Sequence, residues 1–140
     1  MHLPDHPDVI STGFVPEEEK LDAIDACTIF LQPSYIESFS MALTEAWSLR
    51  RAALVQGRCE VLSGHADRSG GALKYDGFAE FEAAVDLLLE NQEIIEELGT
   101  NGRSYVEENY QWSRIISRYE KLLEEVAFVS YPLHIVTHRP

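Results

Sequence analysis

Two carboxylates, Glu37 and Glu45, lie eight residues apart on either side of a predicted strand-to-helix turn. The turn follows the carboxyl end of the strand, which is where open parallel α/β sheets bind their ligands. A helix that begins there presents unpaired backbone N–H groups and the positive end of its dipole. This combination favours an anion, and a phosphate or a diphosphate is the ligand that it suits best.

The strand and the helix that would position these carboxylates have clear boundaries in the sequence. The apolar run Thr28 to Leu31 predicts a short strand, and Pro33 ends it because proline has no N–H to contribute to a ladder. Ser38 or Ser40 suits the capping position of a helix that continues to about Leu49. The turn is therefore predicted to consist of polar residues between two ordered elements.

The spacing of the two carboxylates is weak support by itself. The chain has 24 acidic residues among 140, so several pairs eight residues apart arise by chance. On the turn alone, the simpler interpretation is that Glu37 is a loop carboxylate favouring a helix start and Glu45 is a solvated helix residue. The surrounding sequence decides between the interpretations.

The segment from Glu37 to Glu45 reads E-S-F-S-M-A-L-T-E and resembles a known signature. Retaining glycosyltransferases of the GT-B fold, especially those of family 4, usually read E-G-F-G-x-x-x-x-E at this point. Ser38 and Ser40 replace the two glycines of that pattern. With the flanking similarity, the resemblance favours a ligand site over the simpler interpretation.

Two other stretches are similar to the same family. V-I-S-T-G-F-V-P-E-E-E, which begins at Val9, resembles the family's strand followed by Gly-x-Val-Pro and a helix. N-G-R-S-Y-V-E-E-N-Y-Q-W-S, which begins at Asn101, resembles its late pair of helices with an aromatic-Ser turn. The resemblance extends from about Val9 to Val126.

The resemblance implies transfer of a sugar from a nucleotide-diphosphate sugar to an acceptor. Charge accumulates on the leaving phosphate as the glycosidic bond breaks, so stabilising that charge is the main electrostatic task. Glu37 is implied to be the catalytic residue beside the sugar, and Glu45 to accept hydrogen bonds from ribose hydroxyls. The other implied donor-binding residues are Ser38, Phe39, Ser40 and Met41 near the sugar and distal phosphate, and Gly13 and Val15 near the base.

The order of elements predicts an α/β fold with a parallel, Rossmann-like sheet flanked by helices. Besides Thr28 to Leu31, the predicted strands are Val9–Phe14, Ala52–Gln56 and Ala72–Tyr75. A first helix begins at Pro16 and ends near Cys27, and one or two helical turns are predicted over Cys59–Gly64. Amphipathic helices follow over Gly77–Glu90, Gln92–Val106 and Trp112–Val126. Residues 1–8 are predicted to be loose and residues 127–140 to form an apolar tail, and the resemblance implies that residues 9–126 form a partial donor-nucleotide-binding domain.

The resemblance also implies parts that this sequence lacks. In the complete family enzymes an acceptor-binding domain comes first, followed by two strand-helix units that carry an Arg–Lys pair at the diphosphate. We therefore expect a fragment of a GT-B donor domain that binds nucleotide weakly and catalyses no transfer by itself. Its functional partners would be the nucleotide sugar and either the missing N-terminal domain or a second copy of the chain.

The sheet is where the absent units have a structural consequence. A doubly wound domain has the strand order 3-2-1-4-5-6, and the four predicted strands correspond to its third to sixth strands. The two absent strands would therefore lie between Val9–Phe14 and Thr28–Leu31. The unpaired edges would require a neighbour. Three fillings are possible: the first strand closes up beside the second, the apolar tail Phe128 to Val136 supplies a strand, or two copies pair. The tail and the dimer are favoured.

Composition excludes several other functions. The formal net charge of −13 disfavours nucleic acid and anionic lipid, and no apolar run approaches the roughly 20 residues of a membrane span. Only two cysteines are present, Cys27 and Cys59, and the first residues form no apolar signal segment. A cytoplasmic location with reduced thiols is expected.

The sequence contains few signals of other chemistry. No D-x-D triplet, P-loop or dinucleotide fingerprint occurs in the sequence. His134 and His138 are predicted not to form a zinc site, and His65 is predicted to be a loop residue. No cofactor or metal is therefore expected beside the substrate nucleotide sugar. The alternative to an enzyme part is a non-catalytic interaction module that binds a protein through its tail and sheet edge.

Overall fold

The computed structural model describes residues 6–128 and confirms the predicted α/β fold. A three-stranded parallel, Rossmann-like sheet is flanked by helices. In chain order the elements are α1 (Glu17–Ala26), β1 (Ile29–Gln32), α2 (Met41–Ser48), β2 (Ala52–Gln56), α3 (Glu60–Ser69), β3 (Ala72–Tyr75), α4 (Phe78–Glu90), α5 (Gln92–Asn109) and α6 (Trp112–Phe128).

The strands lie in the order β1-β2-β3 and all run parallel. Ile29 is opposite Ala52 in the first pairing, and Ala53 is opposite Ala72 in the second. The central strand β2 is buried along its whole length. A parallel strand covered on both faces needs apolar side chains in both directions, which explains the unbroken Ala-Ala-Leu-Val run.

Each face of the sheet has its own hydrophobic cluster. Successive residues of β2 point to opposite faces, so Ala53 and Val55 belong to one cluster and Ala52 and Leu54 to the other. The first cluster is completed by Leu43, Trp47, Cys59, Leu62 and Ala66, and the second by Leu88 and Leu98. Helix α2, which begins just after the turn at residues 33–40, therefore packs on a full core.

Close packing of α2 against α5 depends on glycine. Trp47 of α2 is fully buried, and its indole N–H donates to the carbonyl oxygen of Gly71 at 2.9 Å. A Cβ atom on Gly102 of α5 would collide with the Trp47 ring, and a Cβ atom on Gly99 would collide with the Arg50 carbonyl. The missing side chains let the two helices approach until the ring fills the space between them.

The predicted first strand, Val9–Phe14, is wrong. These residues form no strand, and Phe14 is fully exposed. The reason is the absence of a neighbour: among residues 6–128 the sheet consists of β1 to β3 alone, and an extended segment without a partner cannot satisfy its backbone groups in a ladder. The first strand therefore does not close up beside the second. The alternative filling by the tail lies outside the described residues from position 129 onward.

The remaining boundaries agree with the sequence to within a few residues, except around His65. Helix α3 continues beyond Gly64 to Ser69, where Gly70 ends it in the left-handed conformation with φ 61°. His65 is therefore a buried helical residue and not a loop residue. Within the part of the chain that the structure describes, no helix is long and apolar enough to cross a membrane.

Candidate functional site

Residues 33–40 form the turn that joins the carboxyl end of β1 to the start of α2. Its last residue, Ser40, has φ 65° and ψ 74°, which is the left-handed region. An L-residue is strained there by roughly 1–2 kcal/mol, whereas glycine is not. Glycine would be unstrained at this point, where the pattern that the sequence resembles has its second glycine.

The predicted side-chain cap at the start of α2 is wrong. Ser40 occupies the capping position but makes no side-chain capping hydrogen bond, and neither does Ser38, which is exposed. A serine cap requires an extended backbone, and the left-handed conformation of Ser40 directs its hydroxyl elsewhere. The Ser40 Oγ is buried and has no partner among residues 6–128. The N–H groups of the first turn consequently stay available to another acceptor.

Glu37 is held by the last residue of β1. The Gln32 side-chain amide donates to Glu37 Oε1 at 2.7 Å, and Glu37 is half-buried. Glu37 lines a cavity of about 330 Å³ together with Tyr35, Ile36 and the residues Arg58, Cys59, Glu60 and Val61 after β2. The loops that follow β1 and β2 thus meet at Glu37, as expected at the carboxyl edge of a parallel sheet.

Glu45 is held by a cation that the sequence did not point to. Lys20 of α1 donates to both carboxylate oxygens at 3.0 Å and also contacts Glu17 at 2.8 Å. The hydrogen bonds that Lys20 donates to Glu17 and Glu45 raise the pKa of its ammonium group. In the sequence Lys20 is simply the end of an acidic run, so only the packing of α1 against α2 reveals the contact.

The cavities around α2 divide the predicted residues into groups. Phe39, Met41 and Glu45 line one cavity of about 520 Å³, which Trp112 and Ile115 also line. Val15 lines a second cavity of about 490 Å³ that also contains Lys20, the partner of Glu45. These groups adjoin each other through the Lys20–Glu45 pair, whereas Glu37 lines the separate cavity beside Arg58.

The structure connects Gly13 with the site less closely than it connects Val15. The backbone of Gly13 is left-handed with φ 65°, which explains a glycine at this position, and a Cβ atom there would meet nothing within 4 Å among residues 6–128. The structure therefore leaves the stretch around Gly13 open to solvent, next to the cavity that Val15 lines.

Behind the turn lies a polar and aromatic cluster that we call the His65 cluster, comprising Phe39, His65, Arg68, Tyr105 and Tyr110. His65 Nε2 lies 3.0 Å from the Phe39 carbonyl oxygen, and its Nδ1 lies 3.4 Å from the Tyr105 hydroxyl. Burial lowers the pKa of the His65 imidazole, and the nearby Arg68 guanidinium lowers it further. Burial, together with the hydrogen bond to Tyr105, raises the pKa of Tyr110 to about 12.

The site therefore offers donors and carboxylates but no metal centre in the described chain. Residues 6–128 contain no group of three or more side chains that could hold a metal ion. The start of α2 offers N–H groups to an anion, and Glu37 and Glu45 offer oxygens to hydroxyl groups. This is a chemistry of binding and positioning a polar, anionic molecule.

Comparison with known proteins gives the family. The sequence pattern of the family described as Glycosyl transferases group 1 matches residues 5–105. A protein of Methanocaldococcus jannaschii described as an uncharacterized glycosyltransferase is 26% identical over 120 residues. That match covers 82% of this chain and 30% of the relative, so the chain spans about a third of the relative's length. No solved structure matches the chain significantly. Since the family match covers more than half of the sequence, the chain belongs to the glycosyl transferases group 1 family.

Proposed function

We propose that this chain is the donor-binding part of a retaining glycosyltransferase of the GT-B fold, family 4. Its ligand is a nucleotide-diphosphate sugar, and residues 9–126 correspond to the later part of the donor domain. The observation that carries the proposal is the turn itself. The turn that follows the parallel strand β1 ends at a left-handed Ser40, no side chain among residues 6–128 caps the start of α2, and a carboxylate lies on each side.

The distal phosphate is assigned to the start of α2. A helix of eight residues begins there, and its Thr44 N–H already bonds to the Ser40 carbonyl at 3.4 Å. The preceding N–H groups, from Met41 to Leu43, lack an intrahelical acceptor, as the first N–H groups of any helix do. A phosphate at this point would accept from them and would also be favoured by the helix dipole.

The ribose is assigned to Glu45. Lys20 uses one lone-pair direction on each carboxylate oxygen, and an ionised carboxylate has about four such directions. Two acceptor positions therefore stay open for a pair of hydroxyl groups. Lys20 also offsets part of the negative charge of Glu17 and Glu45, so these carboxylates repel an anionic nucleotide less than they would without it.

The transferring sugar is assigned to Glu37. Gln32 fixes the direction of this carboxylate through Oε1, which leaves Oε2 to face a ligand. Ser38, Phe39 and Ser40 would contribute their backbone to the same part of the donor. The base is assigned to the Gly13 to Val15 segment, because Val15 shares its cavity with the Lys20 that binds Glu45.

Titration calorimetry with UDP and GDP tests the assignment of Glu45. We expect weak binding by the unmodified chain and about tenfold weaker binding by the Glu45→Gln variant, since a hydrogen bond to a charged group contributes roughly 1.5–3 kcal/mol. Glu82→Gln is the matched control, because it removes the same charge from an exposed position on α4. Equal affinity of the Glu45→Gln and Glu82→Gln variants would contradict a ribose contact at Glu45.

One observation favours a second function, binding of a protein partner. Among the described residues β1 pairs on one side alone, and Leu31 on this strand is 45% exposed. An unpaired edge strand accepts a strand from another chain. The two functions are distinguished by Glu45→Gln, which should weaken nucleotide binding and leave strand pairing at β1 unchanged.

A further inference from the structure

We infer that His65 is a positioning residue for the donor site: its Nε2–H holds the Phe39 carbonyl and thereby directs the Ser40 N–H towards the ligand. The inference rests on the proposed function, because the ligand in question is the phosphate of the nucleotide sugar. His65 lies 26 residues away in sequence, on a different helix, and is itself almost fully buried.

The geometry of one peptide unit carries the inference. The Phe39 carbonyl and the Ser40 N–H belong to the same peptide group, which is planar and trans. In such a group the C=O and N–H bonds point in opposite directions. A carbonyl drawn towards α3 by His65 at 3.0 Å therefore leaves the N–H directed away from α3. No backbone carbonyl within residues 6–128 accepts from this N–H.

The surroundings of the imidazole fix which nitrogen carries the proton. A carbonyl oxygen can only accept, so Nε2 must be the donor. On the other side, Nδ1 faces a guanidinium nitrogen of Arg68 at 3.5 Å and the Tyr105 hydroxyl at 3.4 Å. A guanidinium group can only donate, so Nδ1 must be the acceptor. His65 is consequently the neutral imidazole with its proton on Nε2.

The groups that face His65 from each element support the same state. Arg68 comes from its own helix α3, Tyr105 from α5 and Tyr110 from the residue after α5, while α2 contributes the uncharged ring of Trp47. Arg68 also donates to the Tyr105 hydroxyl at 3.1 Å, and that hydroxyl lies 3.2 Å from the Tyr110 hydroxyl. The imidazole is therefore held at both nitrogens, and Phe39 packs edge-on against it with ring centroids 5.3 Å apart.

The experiment compares two amide variants of the full chain by nitrogen and proton NMR. In His65→Gln the side-chain N–H₂ lies about where Nε2 lies in histidine, so it can still donate to the Phe39 carbonyl. In His65→Asn the side chain is one carbon shorter and cannot reach it. The unmodified chain gives a third measurement that needs no substitution, because the ring nitrogen shifts report the tautomer of His65 directly.

We expect the unmodified chain to show the proton on Nε2 and the positive φ of Ser40. The His65→Gln variant should keep the coupling constant that reports this φ, and the His65→Asn variant should lose it. On titration with UDP, the amides of residues 40–43 should shift in the unmodified chain and in His65→Gln. The His65→Asn variant should bind about fivefold more weakly, the loss expected for one misdirected hydrogen bond.

Failure of the inference about His65 and failure of the proposed function would give different results. If UDP moves the amides of residues 40–43 equally in the His65→Asn and His65→Gln variants, the inference about His65 is overturned and the donor site stands. If UDP moves none of these amides in the unmodified chain, the proposed function is wrong, and the inference about the ligand falls with it. A proton on Nδ1 in the unmodified chain overturns the inference even if neither variant folds.

Discussion

The two sides of helix α2 differ in how completely they are packed. On the side of α3 and α5, Leu43 and Trp47 are fully buried and the helices approach at glycines. On the side of residues 9–15, the chain makes no strand, and Ile10 and Phe14 are 84% and 102% exposed. The same short helix is therefore anchored on one side and open on the other.

This difference separates the parts of the candidate site by rigidity. The turn that would bind the phosphate is supported by the closely packed side, through His65 and the core beneath Leu43. The segment expected to meet the base, Gly13 to Val15, belongs to the open side. Positions held by packing can be preorganised for a ligand, whereas open segments must be ordered when it binds.

The largest expected effect is on the packed side, in the variant Gly102→Ala. The added methyl group would collide with the buried Trp47 ring, so we expect a loss of about 3 kcal/mol in the free energy of unfolding. Urea denaturation followed by circular dichroism measures it. Gly77→Ala is the control, since within the described part of the chain a Cβ atom there meets nothing within 4 Å. Similar midpoints for the two variants would show that the α2–α5 contact is looser than described.

A smaller effect of opposite sign is expected at the turn, in the variant Ser40→Gly. Glycine adopts φ 65° without strain and removes a buried hydroxyl that has no partner among residues 6–128. Glycine also loses more backbone entropy on folding than serine does, which offsets part of this gain. We therefore expect the free energy of unfolding to rise by about 1 kcal/mol. Ser38→Gly, at an exposed position without positive φ, should not stabilise the chain. A destabilised Ser40→Gly variant would indicate that the hydroxyl has a partner after all.

The pH dependence of stability should reveal the buried imidazole. Burial lowers the pKa of His65 in the folded chain below its ordinary value of 6.5, so the unfolded chain binds a proton first as the pH falls. The contribution of the neutral imidazole to the free energy of unfolding should be fully present above pH 6.5. It should decline as the pH falls from 6.5 towards the lowered pKa of His65. Urea midpoints at several pH values check this, and the decline between pH 6.5 and 5 should be smaller in His65→Gln. An equal decline in both would assign it to other groups.

The smallest expected effect is on the open side, in the variant Phe14→Ser. The ring is fully exposed, so its removal should change the free energy of unfolding by less than about 0.5 kcal/mol. Leu43→Ala provides the contrast, because a fully buried leucine in the first cluster should cost about 3 kcal/mol. If Phe14→Ser were as damaging as Leu43→Ala, the segment before α1 would be packed in solution and the two sides of α2 would not differ.

The elements that the sequence predicted correctly are those whose patterns carry their own physics. Strand β2 is a continuous apolar run, as a strand covered on both faces requires, and the long helices α4 to α6 show apolar residues at helical spacing. Val9–Phe14 has a strand-like composition as well, but a strand forms only with a neighbour, and composition does not supply one.

The site was predictable in part for the same reason. The position of the turn after β1 follows from local sequence, and so does the start of α2 near Ser40. The contacts of Lys20 and His65 connect residues 25 and 26 positions apart, so no local pattern contains them. The left-handed backbone of Ser40 was not predicted, because serine is seldom found at positions with positive φ, where glycine is unstrained.

The two tryptophans give these regions separate optical signals. Trp47 is fully enclosed by the core, and Trp112 is 76% exposed on the wall of the cavity that Glu45 lines. An enclosed indole emits at shorter wavelength than a hydrated one, so the emission of the chain should consist of a blue and a red component. A solute that enters the cavity should quench the red component alone, whereas unfolding should shift the blue one. One fluorescence spectrum can therefore distinguish occupancy of the cavity from loss of the core.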